Sequence, residues 1–184
     1  MEAFKKIAQQ LLDETTGMLS VVEPRDFEMF VDELLRASNV VVTGDGRSRF
    51  VLAAFARRLS RVGRLISVHG DAGGRPARRG DVLVAASVTG ARGPVVAAVE
   101  AAQKRGARIC SFVGEASSIL ASHSNHVVVL SPQTRTPFAV ASAAQTSLLP
   151  FDEALMFFLD ATLIAVQTLL KLDPETVAEQ AKEE

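Results

Sequence analysis

Apolar runs that suit β-strands alternate with segments of helical periodicity along most of this chain. Runs of this kind, without polar breaks, are typical of parallel sheets whose two faces are both covered by helices. They predict five strands, at residues 40–42, 65–68, 81–86, 108–113 and 126–130. Strands that alternate with helices through short connections belong to the α/β class. The sequence therefore predicts a three-layer, doubly wound α/β fold with a five-stranded parallel sheet.

Helices are predicted where apolar residues recur three or four positions apart. They cover the opening segment and residues 25–37, 48–62, 94–105, 117–122 and 151–172. A chain of 184 residues, 48% of them apolar, fits one domain with a sizeable core. We divide it into leading helices (1–37), an α/β core (38–172) and a charged tail (173–184). Residues 131–150 are too many for a plain connection, which predicts a functional loop there.

Charge and cysteine usage exclude several classes of protein. The formal net charge of −1 gives no reason to expect a nucleic-acid partner. No apolar run reaches the roughly 18 residues that a membrane span needs, so no membrane partner is expected. The single cysteine, Cys110, lies in an apolar run, which predicts a buried, inert thiol and a reducing, cytoplasmic compartment. The three histidines lack metal-ligand spacing, so no metal site is predicted.

The turn after the first predicted strand is one candidate site. In doubly wound sheets, ligands bind beyond the carboxyl ends of the strands. Here that position holds Gly46, Arg47 and Ser48. Glycine lets the backbone approach a ligand closely, and the serine hydroxyl could bond a ligand oxygen. The alternative is a tight strand-to-helix turn in which Ser48 caps the next helix.

The turn after the third predicted strand carries more polar groups. Ser87, Thr89, Gly90 and Arg92 stand directly before a helix that has Pro94 in its first turn. The free backbone N–H groups and dipole of a helix start favour a phosphate, and hydroxyls and a guanidinium add donors. The sequence therefore predicts a phosphate or sulfate site here. A capped loop without a ligand is the alternative.

Two acids, Asp152 and Glu153, open the last long helix. Acids in a first helical turn stabilise the helix dipole, which needs no catalytic role. A carboxylate is also the base that a proton-moving isomerase requires, and the two turns above supply no evident base. Both interpretations stay open at this point.

The turns and their order resemble the sugar isomerase (SIS) family, specifically the 6-phospho-3-hexuloisomerases. The similar segments are Gly46-Arg47-Ser48 with the helix at 55–59, Arg79-Gly80-Asp81 before a strand, and the helix at 151–161. The resemblance covers nearly the whole chain. It implies a flavodoxin-like parallel sheet, a homotetramer, and no metal or organic cofactor. It also implies the interconversion of a 3-hexulose 6-phosphate and fructose 6-phosphate.

The chain departs from the family pattern in two places that matter for function. The family's phosphate loop reads Ser-Gly-Ser-Gly-Glu-Thr, whereas this chain has Ser87-Val88-Thr89-Gly90-Ala91-Arg92, in which Arg92 could hold phosphate by charge. The family's base glutamate falls on Asp152, which is one methylene shorter, with Glu153 next to it. Two functions follow. One is a phosphosugar aldose–ketose isomerase, and the other is a non-catalytic phosphosugar-binding or regulatory domain.

The apolar faces of the first and last helices predict self-association. Phe4, Ile7, Leu11 and Leu12 recur at helical spacing in the first, and the last is apolar nearly all round between 155 and 170. A helix of that kind is buried in a core or against another subunit. We therefore expect a homo-oligomer, a tetramer by the family resemblance.

Overall fold

The computed structural model describes residues 2–71, 74–91, 93–131 and 149–172. The helices are α1 (Glu2–Leu19), α2 (Pro24–Arg36), α3 (Arg47–Ser60), α4 (Gly93–Lys104), α5 (Ile119–Ser122) and α6 (Leu149–Leu169). The strands are β1 (Val40–Gly44), β2 (Ile66–Val68), β3 (Val82–Ser87), β4 (Arg108–Val113) and β5 (His126–Val129). All five predicted strands are confirmed. The charged tail and most of the predicted loop at 131–150 lie outside the described residues.

The five strands form one parallel sheet in the order β2-β1-β3-β4-β5. Val40 of β1 pairs with Ile66 of β2 on one side and with Val82 of β3 on the other. The chain thus places β2 on one side of β1 and then returns across β1 to place β3 on its other side. β4 and β5 extend the sheet beyond β3. This is the strand order of flavodoxin-like folds, and the strand order reverses between β1 and β3. The predicted doubly wound fold is confirmed.

Helices cover both faces of the sheet, because neighbouring strand residues point to opposite sides. On one face, Val42, Val84 and Phe112 belong to a large apolar core that includes residues of α2, α3 and α6. On the other face, Val41 and Leu83 belong to a smaller core with residues of α4 and α5. The larger core contains four phenylalanine rings in edge-to-face contact, with centroids 5.0–5.6 Å apart: Phe27, Phe30, Phe112 and Phe158. The three predicted layers are therefore present.

The start of β3 is fixed by a buried acid. The carboxylate of Asp81 accepts hydrogen bonds from the Arg75 guanidinium, with Nη2 2.9 Å from Oδ1, and from the Arg78 backbone N–H at 2.9 Å. Burial alone would raise the pKa of Asp81, but these bonds outweigh it and hold the pKa below its usual range. Asp81 thus stays ionised and ties the preceding loop to the sheet.

The cysteine and the character of the helices are two further features of the described residues. Cys110 is a free, buried thiol in β4, and burial raises its pKa to about 12, as expected of an inert cysteine. Across the described ranges, no helix combines the length and apolar character that a membrane crossing requires.

Candidate functional site

The carboxyl ends of β1 and β3 meet at the point where the strand order reverses. The two ends are joined by a hydrogen bond from the Asp45 backbone N–H to the Ala86 carbonyl at 3.4 Å. Doubly wound folds bind their ligands in the crevice at this position. Both turns that the sequence singles out leave the sheet here, one from β1 and one from β3.

The β1 turn brings the start of α3 close to the sheet. Gly46 stands before α3 with φ 53° and ψ −127°, a conformation that is open to glycine and strained for other residues. Gly46 is also the N-cap residue of α3. The interpretation of Ser48 as a helix cap is therefore wrong, because Ser48 lies inside the first turn of α3 and its hydroxyl serves another contact.

That contact joins two parts of the chain that are 104 residues apart. The Ser48 hydroxyl donates a hydrogen bond to Asp152 Oδ1 at 2.6 Å. Both residues are buried, with 2% and 5% of their surfaces exposed. Asp152 lies in the first turn of α6. The start of α3 and the start of α6 therefore meet through a buried hydroxyl–carboxylate pair, and Asp152 does more than complement a helix dipole.

Arg47 extends this contact to the second acid. Its Nη2 donates to Glu153 Oε1 at 2.9 Å, and its Nε lies 3.9 Å from Asp152 Oδ2. The guanidinium is half exposed, whereas the Asp152 carboxylate is almost wholly covered. The other oxygen of Glu153, Oε2, is buried and has no hydrogen-bond partner within the described part of the chain. We call Arg47, Ser48, Asp152 and Glu153 the carboxylate cluster.

The surroundings of Asp152 favour its protonated form. Burial is the main cause and raises the pKa of Asp152 above its usual range, with a smaller rise from the neighbouring charge of Glu153. The Ser48 hydrogen bond and the charge of Arg47 act in the opposite direction and stabilise the carboxylate. A carboxylate whose pKa is raised is a stronger base once it is ionised.

The β3 turn has a fixed shape of its own. The Gly90 backbone N–H donates to Ser87 Oγ at 3.2 Å, and the exposed Thr89 accepts from the Ala91 N–H at 3.4 Å. The carbonyl of Gly90 accepts a hydrogen bond from the Leu120 N–H at 2.8 Å. Each hydroxyl accepts in these bonds, so each keeps its hydrogen for a further acceptor.

The structure joins some of the predicted site residues and leaves others apart. Arg47, Ser48, Asp152 and Glu153 are in contact, whereas no hydrogen bond among the described residues links Ser87 or Thr89 to that cluster. Arg92 lies outside the described residues.

Two contacts of this site were not predicted from the sequence. Arg47 is a candidate for binding the substrate or its phosphate, and in the structure its guanidinium is bonded to the Glu153 carboxylate. The other contact is that of the Ser118 side chain, which packs against Gly90. No spacing in the sequence signals either contact, because each depends on how distant segments pack.

Two of the three histidines lie away from this crevice. His126 begins β5, at the amino end of the strand and therefore at the opposite edge of the sheet from the two turns. Its buried ring has no hydrogen-bond partner among the described residues, and its Nε2 is 3.7 Å from Asp26 Oδ1. His123 bonds the Gln103 side chain near α5. Within the described ranges, no group of three or more His, Cys, Asp or Glu side chains is placed to hold a metal ion.

Comparison with known proteins connects this geometry to a family. A family model described as the SIS domain matches residues 33–155. That range contains both turns and the two acids of α6. The 3-hexulose-6-phosphate isomerase of Mycobacterium gastri is 30% identical over 149 residues, which cover 81% of this chain and 75% of that protein.

Two solved structures share the fold. The NanR protein of Vibrio vulnificus complexed with ManNAc-6P has a TM-score of 0.80 at 20% identity, covering 98% of this chain and 69% of that chain. The sugar isomerase domain of an RpiR transcription factor from Sphaerobacter thermophilus has a TM-score of 0.73 at 19% identity, covering 100% of this chain and 98% of that chain. At these identities the likeness establishes a common fold only.

Proposed function

This chain belongs to the SIS domain family, and from that premise we propose that it is an aldose–ketose isomerase of a phosphosugar. The specific reaction we propose is the conversion of a 3-hexulose 6-phosphate to fructose 6-phosphate, because a relative of that activity is 30% identical to this chain. The observation that carries the proposal is the buried Ser48–Asp152 pair at the point where the strand order reverses. The pair places the Asp152 carboxylate, oriented by the Ser48 hydroxyl, in the region where doubly wound folds bind their ligands.

The proposed reaction needs one base and no redox partner. In a 3-hexulose, the base removes the proton from carbon 2, next to the carbonyl at carbon 3, and an enediolate forms with its negative charge on oxygen 3. The hydroxyl proton of oxygen 2 passes to oxygen 3, and the base returns its proton to carbon 3, which gives the 2-ketose with a hydroxyl at carbon 3. We assign Asp152 as this base, because burial raises its pKa and makes the carboxylate a stronger base, and the Ser48 bond fixes its orientation.

Glu153 is the second candidate for the base. Its Oε2 has no hydrogen-bond partner among the described residues, and 32% of its side-chain surface is exposed. Asp152 is the better candidate, because it is the buried acid and the Ser48 hydroxyl holds it, whereas Glu153 is bound through its other oxygen to Arg47. The two acids can be separated by mutation.

The phosphate is proposed to lie at the β3 turn. Ser87, Thr89 and the N–H groups at the start of α4 provide neutral donors there, and Arg92 provides a positive charge in the sequence. Gly46 contributes by letting the β1 turn pass close to the sugar. Sugar phosphates are metabolites of the cytoplasm, so the proposed substrate also favours that compartment.

The second candidate function is a phosphosugar-binding domain without catalysis. The altered phosphate loop and the aspartate at the position of the family's glutamate favour it. The fold is also shared with the sugar isomerase domain of a transcription factor. Such a domain would keep the anion site and need no base.

An assay on a panel of phosphosugars, beside a binding measurement, separates these functions. We expect the wild-type protein to convert a 3-hexulose 6-phosphate to fructose 6-phosphate without added metal or cofactor. Binding would be measured by calorimetry with the same compounds. Binding without turnover of any hexulose or pentulose phosphate in the panel would establish the second function and exclude the first.

We also propose that the protein is a homo-oligomer, a tetramer by its family resemblance. Phe4 and Ile7 of α1, and Phe157 and Ile164 of α6, each expose between 50% and 74% of their surface. Exposed apolar side chains on two packed helices are typical of a subunit interface.

Sedimentation velocity should show a tetramer that dissociates in the double variant Phe157→Asp/Ile164→Asp. The matched control is Leu65→Asp, an exposed leucine outside these helices, which should leave the mass unchanged. A wild-type monomer at micromolar concentration would contradict the proposal.

A further inference from the structure

The Arg47 side chain reaches from the first residue of α3 to the first turn of α6. Its Nη2 holds Glu153 Oε1 at 2.9 Å, and its Nε lies 3.9 Å from Asp152 Oδ2. Half of the side chain is exposed, so water could solvate the guanidinium without these contacts. The guanidinium nevertheless lies against both Asp152 and Glu153, so these carboxylates set the orientation of the arginine side chain.

Two adjacent carboxylates, one of them buried, form an unfavourable arrangement without a cation. Burial and the charge of Glu153 both disfavour ionised Asp152, whereas the Ser48 hydroxyl and Arg47 favour it. These are the groups that face Asp152 from α3 and from α6. Arg58, about three turns further along α3, pairs with Asp160 and so serves a different acid. Arg47 is thus the cation positioned to balance the pair.

We propose that Arg47 is a positioning residue, which fixes Glu153 and stabilises the ionised form of Asp152, and that it does not bind the substrate phosphate. The expected loss of activity without Arg47 rests on the proposed isomerase function. The effect of Arg47 on the pKa of Asp152 depends only on the contacts within the carboxylate cluster. This role of Arg47 assigns the phosphate to the β3 turn. It also explains why an arginine directly follows the glycine of the β1 turn, since only the first residues of α3 can reach the start of α6.

The kinetic test compares Arg47→Gln with Arg49→Gln. Arg49 is the matched control, because it lies on the same helix with the same exposed fraction, 52%, and pairs with Asp71 instead. In Arg47→Gln we expect kcat to fall about 10- to 100-fold, as is usual when catalytic groups are misplaced. The acidic limb of the kcat/KM profile should move to higher pH. Arg47→Lys should restore part of the activity, and Arg49→Gln should match the wild type.

Ligand affinity distinguishes positioning from phosphate binding. Calorimetry with inorganic phosphate and with fructose 6-phosphate should give Kd values for Arg47→Gln within about twofold of the wild type, a difference below 0.5 kcal/mol. A loss of tenfold or more in both affinities, with kcat retained, would assign Arg47 to the phosphate and overturn the proposal.

Carbon-13 NMR titration of the Asp152 carboxyl tests the electrostatic part without any turnover. The pKa of Asp152 should rise in Arg47→Gln and stay unchanged in Arg49→Gln. If it stays unchanged in both, the positioning role is refuted, whatever the activity of the wild type. If it rises while the wild type converts no phosphosugar, the isomerase function fails and the pairing of Arg47 with the acids stands.

Discussion

Asp152→Asn should lower kcat by about 10²- to 10⁴-fold, the usual contribution of a general base, while phosphosugar binding changes little. The substitution conserves shape, and the asparagine side-chain oxygen can still accept the Ser48 hydrogen bond that Asp152 accepts at 2.6 Å. What it removes is the ability to take a proton. Steady-state kinetics and calorimetry on the same preparation measure the two effects separately.

Glu153→Gln is the matched comparison, one residue further along the same helical turn. It retains the oxygen that accepts from Arg47. We expect a smaller loss of kcat than in Asp152→Asn. A larger loss in Glu153→Gln would exchange the roles of the two acids. Wild-type turnover in both variants would show that neither is the base.

The pH dependence of the wild type provides a further check on Asp152. Only the ionised carboxylate can accept a proton, so kcat/KM should fall as the pH drops through the pKa of Asp152 in the free enzyme. Burial raises that pKa above its usual range, so the loss should begin at a higher pH than for an exposed aspartate. The residual activity of Asp152→Asn should no longer show this fall of kcat/KM at low pH.

The fold was predictable because strand and helix periodicities are local properties of the sequence. β4 was predicted at its observed bounds, since Arg108–Val113 is a mainly apolar segment with Gly106 before it and Gly114 after it. Two helix starts were each wrong by two residues: α5 was expected from 117 and begins at Ile119, and α6 was expected from 151 and begins at Leu149. Pro150 suits the first turn of a helix, where its missing N–H costs nothing, but its neighbours give no clear period.

The site was only partly predictable, because its contacts join segments about a hundred residues apart. The sequence identified Ser48 and Asp152 separately, each at the start of a helix, but nothing in it indicated that they bond to each other. Arg47 shows the same limit more sharply. A guanidinium after a glycine turn suits a phosphate or a carboxylate equally well, and only the packing of α3 against α6 distinguishes them.

Gly90→Ala should lower the free energy of unfolding by about 2–4 kcal/mol, the sum of a left-handed backbone penalty and a steric clash. Gly90 has φ 59°, and an added Cβ would clash with Oγ and Cβ of Ser118. Ser118 cannot move freely, because it caps α5 by accepting a hydrogen bond from the Ala121 N–H. The β3 turn must therefore shift, and with it the hydroxyls of Ser87 and Thr89.

Gly93→Ala is the control from the same turn. A Cβ there would have no atom within 4 Å, and the residue begins α4, so we expect a change within about 0.5 kcal/mol or a slight gain in stability. Urea unfolding should be followed by far-UV circular dichroism, because the chain has no Trp or Tyr. Gly90→Ala should also weaken phosphosugar binding under conditions where it remains folded, since the proposed phosphate donors would be displaced. Equal stability and equal affinity in the two variants would show that the turn is not fixed by Ser118 and does not form the phosphate site.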